Sequence, residues 1–481
     1  MENNSILLRY GEVGLKSDRN RAFFEKLYLR AIRESLKKHE FLDFQIISYG
    51  KRFVIHHNYS NKILPILQKI PGIQSISPAF HFLFKTQQEI ISELIPLSKP
   101  LIENKTFRIT TRRVGKHDFK SMDLSMNLGK ELEKFNTKVD LTNPDVTLFI
   151  EIRDEHCYFY TEDFSGVGGL PPTSAGKVLC LFSGGIDSPV AAYQMLKRGC
   201  SVDFIYINML GDAPFNEIAK VYNELIDNYV YGYTPKFHVI NAAEIVEKIK
   251  SDVDDSLRQI FLKIIFYKIA EKIAIKNKHL AIVTGEALSQ KSSQTVASLG
   301  VINSQINTLV LRPLLGYDKI EITKIARELN TLVLSEKVKE YCNLSEGPVT
   351  TTPTQDVLTK FPDLSKEIEL ACEDEIVFKG KLDLVEEKIE FDEKDFKKPL
   401  IVDIRSQTDT KNQPIEANIR IEYPEIFHHF EEFKKEEDYI IVCEYGLRSF
   451  DVASRLRKEG IRAISKSFKQ FLNVNDVCER K

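Results

Sequence analysis

The stretch Lys177 to Tyr193, KVLCLFSGGIDSPVAAY, leaves few folds open. Val178 to Phe182 is apolar, short and turn-bounded, the pattern of a strand buried on both faces. Ser183-Gly184-Gly185-Ile186-Asp187-Ser188 breaks it, and Pro189 sits near a helix start, where its missing N–H costs nothing. Val190 to Leu196 continues as helix. Strand, glycine turn and helix together aim free backbone N–H groups and the positive end of a helix dipole at an anion. The glycines let backbone approach phosphate closely. No lysine follows them, so this is not the G-x-x-x-x-G-K-[ST] loop. An ordinary turn before a helix is the competing reading, and the full six-residue run after an apolar strand counts against it.

At 481 residues, 43% of them hydrophobic, the chain can build several cores, roughly three or four at ~150 residues per domain. A formal net charge of −2 excludes a general polycation, so any nucleic-acid surface has to be a local patch. No run of about 20 apolar residues occurs, which predicts no membrane span. The start, MENNSILLRYGEV, lacks a signal-peptide pattern. The seven cysteines are scattered without a CxxC pair, which argues against zinc ribbons and disulfide frameworks. A cytoplasmic protein with reduced thiols is expected, and any paired use of cysteine would be catalytic.

The fold class expected is multidomain α/β. Residues 1–78 read β-α-β-β-α-β, a ferredoxin-like α+β unit. Its first loop, Tyr10 to Arg21, is polar and Gly-rich, open to function or to plain solvation. Residues 79–168 form a second α/β unit. There Arg112, Arg113, Lys116 and Lys120 make a basic loop with Phe119 interleaved: either a solvated turn or a clamp for RNA phosphates, to which Arg forks are fitted. After the Gly/Pro-rich Ser165 to Pro172, residues 173–350 alternate strands with helices, as in a doubly wound parallel sheet. Ligands bind such sheets at the carboxyl ends of the strands. Both the Ser183 turn and the loop Thr284 to Thr295 fall there. Lys263 lies in a helix spanning Leu257 to Ile275 and faces Tyr267, Ala270 and Ala274, so its ammonium could reach phosphate at the sheet edge.

Residues 351–397, with their prolines and acidic runs, read as a linker. Residues 398–481 read as a smaller α/β unit. A strand there ends at Cys443, and Gly446 and Arg448 precede a helix. That setting, with loop N–H groups, a helix start and Arg448 about the sulfur, favours a nucleophilic thiolate. Cys157, Cys180, Cys200, Cys372 and Cys478 read as small core residues.

Several stretches resemble known families. SGGIDS resembles the SGGxDS loop of the PP-loop ATP pyrophosphatases. The second unit, with RRVGKHDF and LTNPD, resembles a THUMP domain. TGEALSQKSSQT is similar to a TGEALxQxSSQT loop. The strand ending in Asp403-Ile404-Arg405, followed by CEYGLRS, resembles a rhodanese domain. Taken in order, with GEVGLKSDRNRAFFEKL at the front, they resemble the tRNA 4-thiouridine synthetases (tRNA sulfurtransferases) over nearly the whole chain.

The resemblance implies ATP and Mg²⁺. Ser183, Gly184, Gly185 and Ser188 would hold pyrophosphate and Asp187 the magnesium. Leu181, Phe182, Gly285 and Gln294 would line the adenosine, and Lys263 would contact ATP. It implies a persulfide on Cys443, loaded by a cysteine desulfurase and cradled by Gly446 and Arg448. Cys342 would resolve it through a Cys342–Cys443 disulfide that a thiol reductant resets. tRNA would bind at Arg112, Arg113, Lys116 and Lys120, with uridine 8 the target. In some members sulfur also goes to a carrier protein for thiamine thiazole synthesis. Two other readings stand beside this one: a PP-loop thiolase acting at another tRNA position, and a tRNA-binding sulfur relay without adenylation. A homodimer is left open.

Overall fold

The computed structural model describes residues 3–49, 52–57, 60–135, 138–209, 215–338, 344–345, 347–382, 396, 398–423, 425–443, 447–468 and 470–472. Cys342, Gly446 and Cys478 lie outside them. Contacts divide the chain into two compact units. One takes residues 1–177, 193–201 and 228–234; the other takes 178–192, 202–227 and 235–481.

The first unit is built on one sheet. Its strands lie in the order Gln45–Ser48, Arg52–His56, Ser5–Tyr10, Ile73–Leu83, His156–Tyr160, Val146–Arg153, Thr106–Val114 and Lys138–Val139, and Phe164–Ser165 pairs beside Ile73–Leu83. The first four are antiparallel and carry the helices Asp18–Lys38 and Ser60–Gln68, which is the expected ferredoxin-like unit. The boundary expected at residue 78 falls inside Ile73–Leu83. The amino-terminal part of that strand pairs with Ser5–Tyr10 and its carboxyl-terminal part with His156–Tyr160. A strand of 11 residues reaches past its first neighbour, and the next unit completes the exposed ladder. The polar first loop is a short turn of helix, Glu12–Leu15, with Val13 buried.

A second apolar cluster of this sheet gathers Leu7, Val54, Ala79, Tyr158 and Tyr160. Glu151 lies 1% exposed and takes three guanidinium groups: Arg9 at 3.6 Å, Arg153 at 2.6 Å, and Arg52. Arg9 is tied further to the Tyr160 hydroxyl at 2.6 Å and to Asp163 at 3.1 Å.

The larger sheet of the second unit has the order Leu309–Leu311, Ala281–Val283, Lys177–Leu181, Ser201–Asn208, Lys236–Asn241, Ile376–Lys379. Numbered along the chain, the first five run 5-4-1-2-3, the doubly wound order. It reverses between Lys177–Leu181 and Ala281–Val283, and ligands bind at such switch points. One face is aliphatic, with Leu179, Ile205, Ile207, Ile240 and Ile282 packed against the helix Arg258–Lys276. The other is aromatic: Phe182, Phe204 and Phe237 meet Tyr222 edge-on.

The segment 351–397 is not simply a linker. Ser365–Glu373 is a helix, and Ile376–Lys379 adds an antiparallel edge strand to Lys236–Asn241. Ile368 and Cys372 of that helix are buried in the aliphatic core, and this burial outweighs the acidic composition that suggested solvation. A four-stranded parallel sheet follows, ordered Ile419–Arg420, Leu400–Asp403, Asp438–Cys443, Arg462–Ser467. Arg405 makes two 2.9 Å hydrogen bonds to the buried Asp403 carboxylate. Among the described residues no helix is long and apolar enough to cross a membrane.

Replacing Glu151 by Ala would leave three part-buried guanidinium groups with no common acceptor. Breaking a buried pair in this way costs ~3–5 kcal/mol. Urea unfolding of the full chain should show a loss of that order; a loss under about 1 kcal/mol would mean the arginines are held by other groups.

Candidate functional site

Lys177–Leu181 ends one residue before the Phe182 that its sequence pattern predicts. Phe182 N–H still donates to the Ile205 carbonyl at 2.9 Å, and then the chain turns. Gly184 has φ +74, in the left-handed region, and a Cβ there would stand 2.9 Å from the Ile218 side chain. Both facts require glycine. Ser183 N–H donates to Ser188 Oγ at 3.2 Å, which closes the turn over the start of the helix Asp187–Lys197.

The loop after Ala281–Val283 lies across the switch point. A Cβ on Gly285 would stand 2.9 Å from both the carbonyl carbon of Asp187 and the nitrogen of Ser188. The glycine therefore lets two backbones touch, whereas the sequence reading gave it the nucleotide to accommodate. The two loops border a cleft of about 500 Å³. Leu181, Phe182, Ser183, Gly185, Asp187, Ser188, Lys263, Gly285 and Gln294 all line it; Gly184 shapes the turn from behind. Phe182 contributes little side chain to a ligand, because its ring is 2% exposed and packs edge-on to Phe204, Tyr222 and Phe237.

Charge in the cleft is arranged around Glu286, which the sequence reading passed over. It is 2% exposed. Its Oε2 accepts from the Tyr267 hydroxyl at 2.5 Å, Thr284 Oγ1 at 3.0 Å and Arg312 Nε at 3.0 Å. Lys263 Nζ stands 3.9 Å from Oε1. Among the described residues, that oxygen and Gln294 Oε1 are buried acceptors without a hydrogen-bond partner. Burial and the Glu286 charge both push the Tyr267 hydroxyl pKa up, so it stays a donor. Asp187 is 17% exposed; its carboxylate holds Lys319 Nζ at 2.7 Å and Gln290 Nε2 at 3.3 Å. Lys319 begins the helix Lys319–Glu328, capped reciprocally by Asp318 and Glu321. That D-x-x-E signature was readable in the sequence. Glu286 stood inside a quoted motif and differed from any surface glutamate only by burial.

In the four-stranded sheet Cys443 closes its strand and is 2% exposed. Its Sγ accepts from Ser449 N–H at 3.3 Å and lies 3.3 Å from Ser449 Oγ, in the first turn of the helix Leu447–Lys458. The sulfur thus faces a helix start. Arg448, expected beside the sulfur, pairs with Glu247 and lies over the Tyr423 ring. Adjacent residues of a helix point in different directions, so Ser449 and Arg448 do not share a partner. Burial pushes the thiols of Cys157, Cys180 and Cys200 up, and that of Cys372 to about 11, which suits core residues.

The basic loop divides. Arg112 and Arg113 belong to the strand Thr106–Val114 and so point to opposite faces. Arg112 is exposed. Arg113 bonds His117 Nδ1 at 2.9 Å and the Gly115 carbonyl at 3.3 Å, and lies over the Phe119 ring. Phe119 is itself core. Lys116 and Lys120 are exposed, Lys120 at the cap of the helix Ser121–Leu132.

Three family models match the chain: Thiamine biosynthesis protein (ThiI) over residues 173–364, THUMP domain over 84–162 and ThiI ferredoxin-like domain over 5–77. The chain is 32% identical to a tRNA sulfurtransferase of Pyrobaculum aerophilum, over 96% of each chain. It is 30% identical to another from Thermoplasma volcanium over 99% of each. A probable tRNA sulfurtransferase of Methanocaldococcus jannaschii, 37% identical, matches 73% of this chain with 95% of its own. A crystal structure of a 4-thiouridine synthetase–RNA complex with bound ATP superposes with a TM-score of 0.68 at 28% identity, covering 79% of this chain and all of that one.

Gly285→Ala should force the two cleft loops apart. Overpacking of this kind costs ~1–3 kcal/mol. A denaturant titration should show that loss, and an unchanged midpoint would mean that the loops part freely.

Proposed function

The chain belongs to the tRNA sulfurtransferase (ThiI) family, and from that premise we propose how its own residues carry the reaction. The substrates are ATP and a tRNA uridine, with uridine 8 and 4-thiouridine as target and product. The observation that carries this is the cleft at the switch point. A glycine turn and helix start border it on one side, and the buried acceptors Glu286 Oε1 and Gln294 Oε1 border it on the other. Backbone N–H groups and Lys263 suit phosphate oxygens, which only accept. The two acceptors suit the hydroxyl and amino donors of a nucleoside.

Oxide is a poor leaving group from uracil C4. In the first step O4 attacks the α-phosphorus of ATP, and pyrophosphate leaves. Ser183, Gly184, Gly185 and Ser188 hold that pyrophosphate, and Lys263 offsets its charge. Asp187 is the single carboxylate of the loop and would hold a magnesium ion through a carboxylate oxygen. Bound there, the ion would offset charge on the phosphates. Lys319 holds the same carboxylate in the free chain and supplies a second positive group.

The C-terminal sheet acts as a rhodanese-like sulfur carrier. A cysteine desulfurase loads Cys443 as a persulfide, whose anion the Ser449 N–H and the helix start stabilise. Its terminal sulfur attacks C4, and AMP departs with O4. Cys342 then attacks the Cys443 sulfur, breaking the S–S bond. This frees 4-thiouridine and leaves a Cys342–Cys443 disulfide, which a thiol reductant returns to two thiols. The same persulfide would supply a carrier protein for thiamine thiazole synthesis, a role supported by the description of the matching family model. All of this suits a reducing, cytoplasmic setting. The exposed Arg112, Lys116 and Lys120 touch tRNA phosphates; Arg113 braces their loop.

Asp187→Asn should cut tRNA-dependent pyrophosphate release by about a hundredfold or more, the scale of lost electrostatic stabilisation at a transferring phosphoryl group. No release from the intact chain would favour a sulfur relay without adenylation. Cys443→Ser should keep pyrophosphate release while mass spectrometry of digested tRNA finds no thiolated base; normal thiolation would remove Cys443 from the pathway. Arg112→Ala should flatten the salt dependence of tRNA binding by ~0.7–0.9 log units per lost contact. An unchanged slope would take Arg112 out of the interface.

A further inference from the structure

The amino-terminal end of the large parallel sheet, away from the nucleotide cleft, holds a buried cluster of donor groups that no step above uses. Asp203 is near the start of Ser201–Asn208, His238 is on Lys236–Asn241, and His279 comes just before Ala281–Val283. The cleft is lined instead by Ile205 to Ile207 and by residues from Thr284 onward, at the carboxyl ends. All three cluster residues are buried. One ring nitrogen from each histidine and a carboxylate oxygen of Asp203 lie within 4.8 Å of one another.

The hydrogen bonds around the cluster orient it. His238 Nδ1 lies 2.5 Å from Glu375 Oε1, and His279 Nε2 lies 3.0 Å from Asp203 Oδ2. Carboxylates only accept, so each of these nitrogens carries the ring proton. In the neutral rings His238 Nε2 and His279 Nδ1 are then bare, and among the described residues both are buried without a hydrogen-bond partner. Glu375 is held in turn by Lys276 Nζ at 2.7 Å, and Asp203 Oδ1 accepts from Lys236 N–H at 2.9 Å. A carboxylate on the far nitrogen of an imidazole is the usual arrangement behind a metal-ligating histidine.

We propose that Asp203, His238 and His279 form a structural site for a divalent cation of the zinc class, with Glu375 orienting His238 from behind. Two imidazoles and one carboxylate oxygen match the ligand preference of zinc, and a water completes four-coordination. His238 ligates through its bare Nε2. His279 ligates through Nε2 once its ring proton moves to Nδ1. The ion joins the amino-terminal ends of three strands, and Glu375 extends the tie to the edge strand Ile376–Lys379.

The test uses the full-length chain without a histidine tag, stripped by a chelator, reloaded with Zn²⁺ and desalted. One zinc per chain should remain, and His238→Gln and His279→Gln should each lose it. Co²⁺ in its place should give the visible bands of tetrahedral nitrogen and oxygen ligation without a thiolate charge-transfer band, which separates this site from the cysteines. Should those variants fail to fold, Glu375→Gln leaves all three ligands in place and should weaken zinc binding ~10–100-fold. Absence of bound zinc, a thiolate spectrum, or full zinc retention in His238→Gln would overturn the proposal and leave a hydrogen-bond network only.

Discussion

Two stretches of backbone touching at Gly285 set the terms for the large sheet and its cleft. The turn after Lys177–Leu181 and the loop after Ala281–Val283 come from strands far apart in the chain but adjacent in the sheet. They leave from the same edge because the two strands are parallel, and the reversal of strand order between them opens the crevice. With no side chain on Gly285, the loops close to contact, and the space they leave is the cleft. Glu286, the next residue, is then carried inward, where Tyr267, Thr284 and Arg312 hydrogen-bond it and Lys263 stands beside it. One missing methyl group thus fixes both the shape of the cleft and its charge.

Much of this was legible in the sequence, for physical reasons. The turn Ser183 to Ser188 announced itself because its glycines and helix start are local requirements. Lys263 was readable from its neighbours at helical spacing, and it does line the cleft. What escaped was whatever depends on distant partners. Glu286 and Glu151 look like surface carboxylates until the fold buries them against cations distant in the chain, Arg312 for Glu286 and Arg9 and Arg52 for Glu151. Arg112 and Arg113 read as one basic group, yet strand geometry turns them to opposite faces. The helix Ser365–Glu373 was hidden by acidic residues on its outer side, although Ile368 and Cys372 anchor it.

The cysteine cradle shows a related limit. A strand end, a helix start and an arginine in sequence suggested that all three would meet at the sulfur. Two of them do. The arginine is drawn to Glu247, an acid more than two hundred positions earlier, and to the ring of Tyr423. Sequence neighbours share a helix but not a direction, and the strongest nearby charge decides where a long side chain lies.

Two recognisable modules at the amino-terminal end are stitched through Ile73–Leu83, which gives one end of its ladder to each. Neither could be cut out without leaving a raw row of amide and carbonyl groups. They should therefore melt together, and damage in one should be felt in the other. An engineer exchanging the THUMP half for a foreign one would have to move the seam strand with it, and both of its neighbours.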